Sequence, residues 1–343
     1  MEEVILAGFS ERFFVHYREI ERNYSISAVA ESSDMKTESL IGIQGCRRCS
    51  FEDIDIQGRE RILIVSQSRC IDIIRELLGL GIDRRRIIIW TPSLYLKESD
   101  YSLVVEEDGT VLANVLSDGV NLRAYLKAYS DFFIFEEIFL QNTYRFITGT
   151  DCILLDIGMN VGLASLYFAA KSFVRKIYAF EPFKPTYDRA LANFDLNEGP
   201  VKNKIQAFNY GLSDADQKGY FPYLDNNPGN MKTTREYLKE DSADNGQAAE
   251  LREAGREIDR IMRLEPDAGY VIKIDCEGAE YDIIPNLVKW NVLDRVSLII
   301  METHDGREDE IVGLIAGQGF TVYSDRPSPH LTGKLIAFHS VEH

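Results

Sequence analysis

Positive charge is what this sequence is short of. Its 343 residues carry 38 Lys and Arg against 55 Asp and Glu, a formal net charge of −17. A protein that neutralises a run of phosphates needs a basic face, so the composition speaks against a nucleic-acid partner. The deficit is uneven. Residues 1–100 account for −3 and the remainder for −14, which suits a cationic ligand in the second half. Long apolar runs are missing as well. None reaches the roughly 18–20 residues of a membrane span, so no membrane partner is expected. The opening Met1-Glu2-Glu3-Val4 lacks the basic flank of a secretion signal, and a cytoplasmic enzyme is the expectation. Cysteine is scarce and odd in number, five in all, which is no disulfide framework. Cys46-Arg-Arg-Cys49 has no second pair to complete a zinc site. It reads as two unpaired thiols, with arginines beside them that could lower a thiol pKa.

What is present is an alternation of apolar runs and amphipathic stretches over a length that suits two domains. Residues 1–95 read as a small Rossmann-like α/β domain, 96–150 as a hairpin and helical joint, and 151–343 as a larger α/β domain. Val4–Gly8, Ile26–Glu31, Arg61–Ser66 and Arg86–Trp90 read as strands, with helices from Ser10 to Arg22 and from Ile71 onward. The first turn, Gly8-Phe9-Ser10-Glu11-Arg12-Phe13, has one glycine where a dinucleotide site wants three. A regulatory or dimerising role, as a homo-oligomer contact, is therefore favoured over a nucleotide site. Glu106-Glu107-Asp108-Gly109-Thr110 between apolar runs signals a hairpin. Residues 121–146 read as a helix with an aromatic stripe from Phe132 to Phe146.

The second domain carries the chemistry. Cys152–Asp156 is a buried strand running into Gly158-Met159-Asn160-Val161-Gly162 and a helix, where an open α/β sheet takes ligands. The next strand ends in Glu181-Pro182, and a carboxylate there can accept both hydroxyls of a ribose. A pyrophosphate wants bare N–H groups and no anion nearby. Here Asp156 opens the loop, which suits a donor bearing an amino group and a sulfonium, S-adenosylmethionine. Gly158 and Gly162 would let backbone approach it and Asn160 would hydrogen-bond it. After a third strand, Ile205–Asn209, Leu212 and Asp214 would cover an adenine. The polar stretch 213–256 reads as an insertion, part helix. Two further strands end in Asp275-Cys276-Glu277-Gly278-Ala279-Glu280 and Glu302-Thr303-His304. Asp275, Glu277, Glu280, Glu302 and His304 thus fall at one rim with Asp156 and Glu181. Acids so crowded repel one another, which argues for function. Glu280 alone reads as helix-capping or solvated.

Asp156-Ile157-Gly158-Met159-Asn160-Val161-Gly162, Phe180-Glu181-Pro182, Glu257-Ile258-Asp259, Lys273 through Glu280 and Glu302-Thr303-His304 together resemble the FkbM family of S-adenosylmethionine-dependent methyltransferases over about residues 130–325. The resemblance implies a seven-stranded class I methyltransferase fold. It also implies O-methylation of a sugar hydroxyl in a glycan or of a natural product. Met159 stands where that family usually has a small alanine. The proton acceptor is then sought among Asp275, Glu277, Glu302 and His304, with His304 and Glu277 ahead. The main reading uses no metal; a rival one places magnesium or manganese among Asp275, Glu302 and His304. Two other classes stand beside methyl transfer: a non-catalytic module keeping the cofactor fold, and a nicotinamide-dependent oxidoreductase using residues 4–90.

Overall fold

The computed structural model describes residues 1–8, 11–32, 46–92, 96–146, 148, 150–197, 199–224, 231–239, 246–325 and 332–339. They divide into two units, Met1–Leu116 with Arg123–Thr143, and Ser117–Leu122 with Tyr144–His343.

In the first unit, β1 (Glu2–Ala7), α1 (Glu11–Asn23), β2 (Tyr24–Glu31), β3 (Arg47–Ser50), β4 (Arg61–Ile64), α2 (Cys70–Gly79) and β5 (Ile87–Ile89) follow in order. The strands form one parallel sheet in the order β3-β2-β1-β4-β5, the arrangement expected of a Rossmann-like domain. Its apolar runs are buried because helices cover a parallel sheet: Val4, Leu6, Ile20, Leu63 and Leu77 are all enclosed. Ser10, expected to cap the first helix, lies outside the described residues. Both thiols of the Cys-x-x-Cys are free and donate to β2 carbonyls, Cys46 to Ile26 and Cys49 to Val29. Burial raises the Cys49 pKa against the lowering effect of Arg47, so no activated thiolate sits there.

Next come β6 (Tyr101–Val105), β7 (Val111–Ser117) and β8 (Val120–Leu126), a three-stranded sheet, and then α3 (Tyr129–Phe135). The expected turn at Asp108-Gly109 does join β6 to β7. The helix expected over 121–146 forms only over 129–140. Leu122, Ala124 and Leu126 alternate inward, the period of a strand, and Asp118 and Gly119 at positive φ make the tight turn before it. Nor is the aromatic stripe one face. Phe135 packs on Phe139, whereas Tyr144 and Phe146 meet Phe168 in the second unit.

The second unit runs β9 (Cys152–Ile157), α4 (Leu163–Ala169), β10 (Val174–Phe180), α5 (Lys184–Asp195), α6 (Pro200–Asn203), β11 (Ile205–Phe208), β12 (Gly211–Ser213), β13 (Gln217–Pro222), β14 (Gly246–Glu253), α7 (Ala254–Leu264), β15 (Gly269–Ile274), α8 (Glu280–Lys289), β16 (Val296–Thr303), α9 (Glu308–Ala316), β17 (Phe320–Asp325) and β18 (Gly333–His339). Seven strands form one sheet in the order β11-β10-β9-β15-β16-β18-β17. β18 alone runs against its neighbours. This is the seven-stranded methyltransferase architecture that the motifs imply. Among its described residues the insertion over 213–256 holds β13, β14 and a short 3-10 turn at Arg235–Tyr237, and its strands join β12 in a second sheet, β12-β14-β13. Leu251 and Phe221 pack there around Phe183, so alternation outweighs the polar composition.

Candidate active site

β9 lies between β10 and β15 and parallel to both, so their carboxyl ends open at the same edge, and the strand order reverses between β9 and β15. Gly158 and Gly162 sit at φ of 78° and 83°. A Cβ on Gly158 would lie 1.9 Å from the backbone oxygen of Asp275, and one on Gly162 2.5 Å from the Phe194 ring. Glycine is thus required twice over, for conformation and for room. Between them Asn160, also left-handed at 52°, gives its backbone N–H to Glu181 Oε2 at 3.2 Å. Glu181 Oε1 accepts the N–H of Phe183 at 3.0 Å. Burial raises the Glu181 pKa to about 7, against those two N–H groups. The buried Oδ1 of Asn160 has no hydrogen-bond partner. Met159, where a small residue was the family expectation, is buried and donates its N–H to the Phe180 carbonyl.

Asp156 does not stand at a lip. It is wholly enclosed, accepting a hydrogen bond from Ser165 at 2.6 Å and facing the Lys273 ammonium at 3.2 Å. A negative charge already matched inside the sheet is not available to a cationic ligand, which corrects that expectation. The Pro182 ring packs beside Gly211, and Asn209 donates to the Glu181 and Pro182 carbonyls, so β11 and β12 border the same corner. Leu212 is a core residue there, and Asp214 accepts from Gln217 at 3.4 Å. Glu257 is buried and braced by the Tyr210 hydroxyl and Arg260, while Asp259 pairs with exposed Arg263.

Across from the glycine turn, β15 ends at Asp275, whose N–H bonds the Ile157 carbonyl and whose Oδ2 accepts from Tyr144 at 3.3 Å. Glu277 follows in a left-handed conformation, φ 54°, which a non-glycine residue adopts at a cost of order 1–3 kcal/mol. It faces His304 Nε2 at 3.6 Å. On the other side of that ring, Glu280 Oε1 lies 3.0 Å from Nδ1. Glu280 is fully buried and takes the Gly278 N–H on its second oxygen. Tyr281 donates to the His304 carbonyl. A solvated or merely capping Glu280 was the expectation. Its burial between two turns makes it the brace of the cluster, and the repeated acids of Asp275-Cys276-Glu277-Gly278-Ala279-Glu280 were the one signal for it.

The electrostatics separate the two leading proton acceptors. Burial lowers the His304 pKa, but the hydrogen bond to Glu280 and the charges of Glu280, Glu277 and Asp275 outweigh it and raise it to about 9. At neutral pH the ring is a cation with no lone pair to offer. Glu277 is pushed the other way from an ordinary carboxylate, up to about 7, by burial opposed by His304. It is the group that takes a proton near neutrality. Glu302 stands apart. It lies opposite Lys334 on β18, 3.9 Å away, and the trio whose ligand atoms come within 4.8 Å is Asp275, Glu277 and His304. The rival metal set containing Glu302 is therefore not the one assembled, and the trio would hold a cation only after His304 gave up its ring proton.

Residues 156–324 match the family described as the methyltransferase FkbM domain. A synthetase of Pseudomonas aeruginosa, AMB antimetabolite synthetase AmbE, is 28% identical over 55% of this chain, a match that spans 10% of its own length. Methyltransferase sdnD of Sordaria araneosa is 28% identical over 57% of this chain and 83% of its own. Hexuronic acid methyltransferase AglP of Haloferax volcanii is 29% identical over 46% of this chain and 57% of its own.

Proposed function

We propose that this chain, whose residues 156–324 are an FkbM methyltransferase domain, transfers the methyl group of S-adenosylmethionine to a hydroxyl of a sugar, in a glycan precursor or a natural product. The observation that carries the reading is the close approach of Gly158 to Asp275, which puts the glycine turn and the acid cluster at one locus. The turn fits the donor: Asn160 keeps a buried acceptor oxygen free, and the one ammonium described beneath the turn, on Lys273, is engaged with protein groups. Gly158, Asn160 and Gly162 would hold its amino-acid part, and Glu181 with Pro182 its ribose. When bound, S-adenosylmethionine supplies an electrophilic methyl carbon on a sulfonium.

The chain's part is positioning and proton removal. A sugar hydroxyl is a weak nucleophile until a base draws on its proton. Glu277 is that base, made by burial into a carboxylate that accepts a proton near pH 7. His304 is a fixed cation that keeps Glu277 oriented and partly ionised, and Glu280 keeps His304 in place. The relative named as a hexuronic acid methyltransferase supports a sugar acceptor. The test is a panel of nucleotide sugars and polyol natural products with labelled methyl donor, run with wild type and Glu277→Gln. Methyl transfer to a sugar by wild type, lost in the variant, is expected. Transfer only to amines, or equal rates in both proteins, would overturn it. The cytoplasmic setting and a dimer contact through the first unit belong to the same proposal.

A further inference from the structure

We propose that Lys273 is a positioning residue, fixing the shape of the glycine turn by gripping the Gly158 carbonyl from the neighbouring strand. The proposal rests on the turn being the donor site. Lys273 lies directly opposite Asp156 in the β15–β9 register, in the middle of the sheet. It is 2% exposed, on the face of the sheet that carries Asp156, with the Tyr144 ring centre 5.9 Å from its ammonium. A buried ion pair in such a place is at best neutral for stability, because apolar side chains of similar volume would pack there at no desolvation cost. Balancing Asp156 is also not its closest engagement. Nζ lies 2.6 Å from the Gly158 oxygen, 3.2 Å from Asp156 and 3.8 Å from Asp275.

Other bonds of the turn come from elsewhere. The N–H groups of Gly158 and Met159 go to the Phe180 carbonyl and that of Asn160 to Glu181, while the Asn193 amide on α5 donates to the Val161 carbonyl at 2.9 Å. The turn is thus held by β10 through its amides, by β15 through one ammonium and by α5 through one side-chain amide. Only the second hold also reaches the acid cluster, through Asp275. A lysine is suited to this, since its three donors spread over a carbonyl and two carboxylates from a single point.

The experiment removes both charges of the pair together, so that no orphaned carboxylate confuses the result. Donor affinity of Lys273→Met/Asp156→Asn is measured by calorimetry with S-adenosylmethionine and set beside the thermal midpoint. The expected result is a loss of about tenfold or more in affinity. Lys273→Gln in the same Asp156→Asn background keeps a donor of shorter reach and should recover part of that loss, which a purely structural role would not produce. It also serves as the reading should the Met variant fail to fold. Affinity within about twofold of wild type in both variants would overturn the proposal, leaving Lys273 as a counter-charge only. Wild type that binds no S-adenosylmethionine at all would instead overturn the donor site itself, a distinct outcome.

Discussion

Glu280 Oε1 accepts two hydrogen bonds from one residue, the backbone N–H of His304 at 2.7 Å and its ring Nδ1 at 3.0 Å. A single buried oxygen therefore fixes the end of β16, the orientation of the imidazole and its protonation. Under the proposed mechanism Glu277 is the base because a second acid, Glu280, holds the histidine between them.

Replacing Glu277 by Gln should lower the methyl-transfer rate constant by about 10²–10⁴, the range for loss of a positioned base. Donor affinity should stay near the wild-type value, because the donor is proposed to be held by Gly158, Asn160, Gly162 and Glu181 and not by Glu277. Labelled-methyl assays beside calorimetry measure both; a drop in donor affinity with an unchanged rate would refute the assignment.

His304→Gln should shift the acidic limb of the rate profile to higher pH by about one unit, since removing a nearby cation raises a carboxyl pKa. A histidine acting as the base itself would give a different result, loss of rate at every pH without such a shift.

Stability carries the same signature. His304 has a folded pKa of about 9 against 6.5 when exposed, so its contribution is complete below about pH 6.5 and fades as pH rises through 9. The full effect is on the order of 3 kcal/mol. Glu277 and Glu181, both raised from 4.5 to about 7, also favour the folded state at low pH, and their effect is spent by pH 7. Urea midpoints between pH 6.5 and 9 should fall more steeply for wild type than for His304→Gln. Parallel slopes would contradict the pairing.

Gly158→Ala should unfold the turn or distort it, with a loss of at least about 1–3 kcal/mol from positive φ alone and more from the Asp275 carbonyl. Chemical denaturation and donor binding should both register it. Gly199→Ala, another positive-φ glycine with open space around it, should show the conformational cost without the clash.

Chelation offers a simple discriminator. With His304 held as a cation, EDTA should leave turnover unchanged. Activity lost to chelator and restored by magnesium or manganese would bring back metal assistance.

Much of this was legible in the sequence where local and global preferences agree. Leu154-Leu155-Asp156 before Gly158, and Ile272-Lys273-Ile274 before Asp275, are short apolar runs ending in acids, and both fold as parallel strands, with Asp275 just past the end of its strand and Asp156 enclosed within its own. Period-2 signals overlaid by aromatics or charge were misread. The strand Val120–Leu126 looked helical because bulky residues follow it, and Gly246–Glu253 looked like solvated insertion because its outward face is polar. Protonation was beyond the sequence altogether. His304 and Glu280 are 24 residues apart, and only their meeting across two strand ends makes the ring a cation rather than a base.

The placement of β18 has a consequence for biosynthesis. It is the last of the seven strands to be made, yet it sits between β16 and β17, and Lys334 reaches the rim at Glu302 from it. While a ribosome has released everything up to Asp325 and nothing later, β16 presents a bare edge and β17 has no neighbour to pair with. The nascent chain therefore carries the acid cluster on an unfinished, adhesive border until Gly333–His339 emerges and slots in.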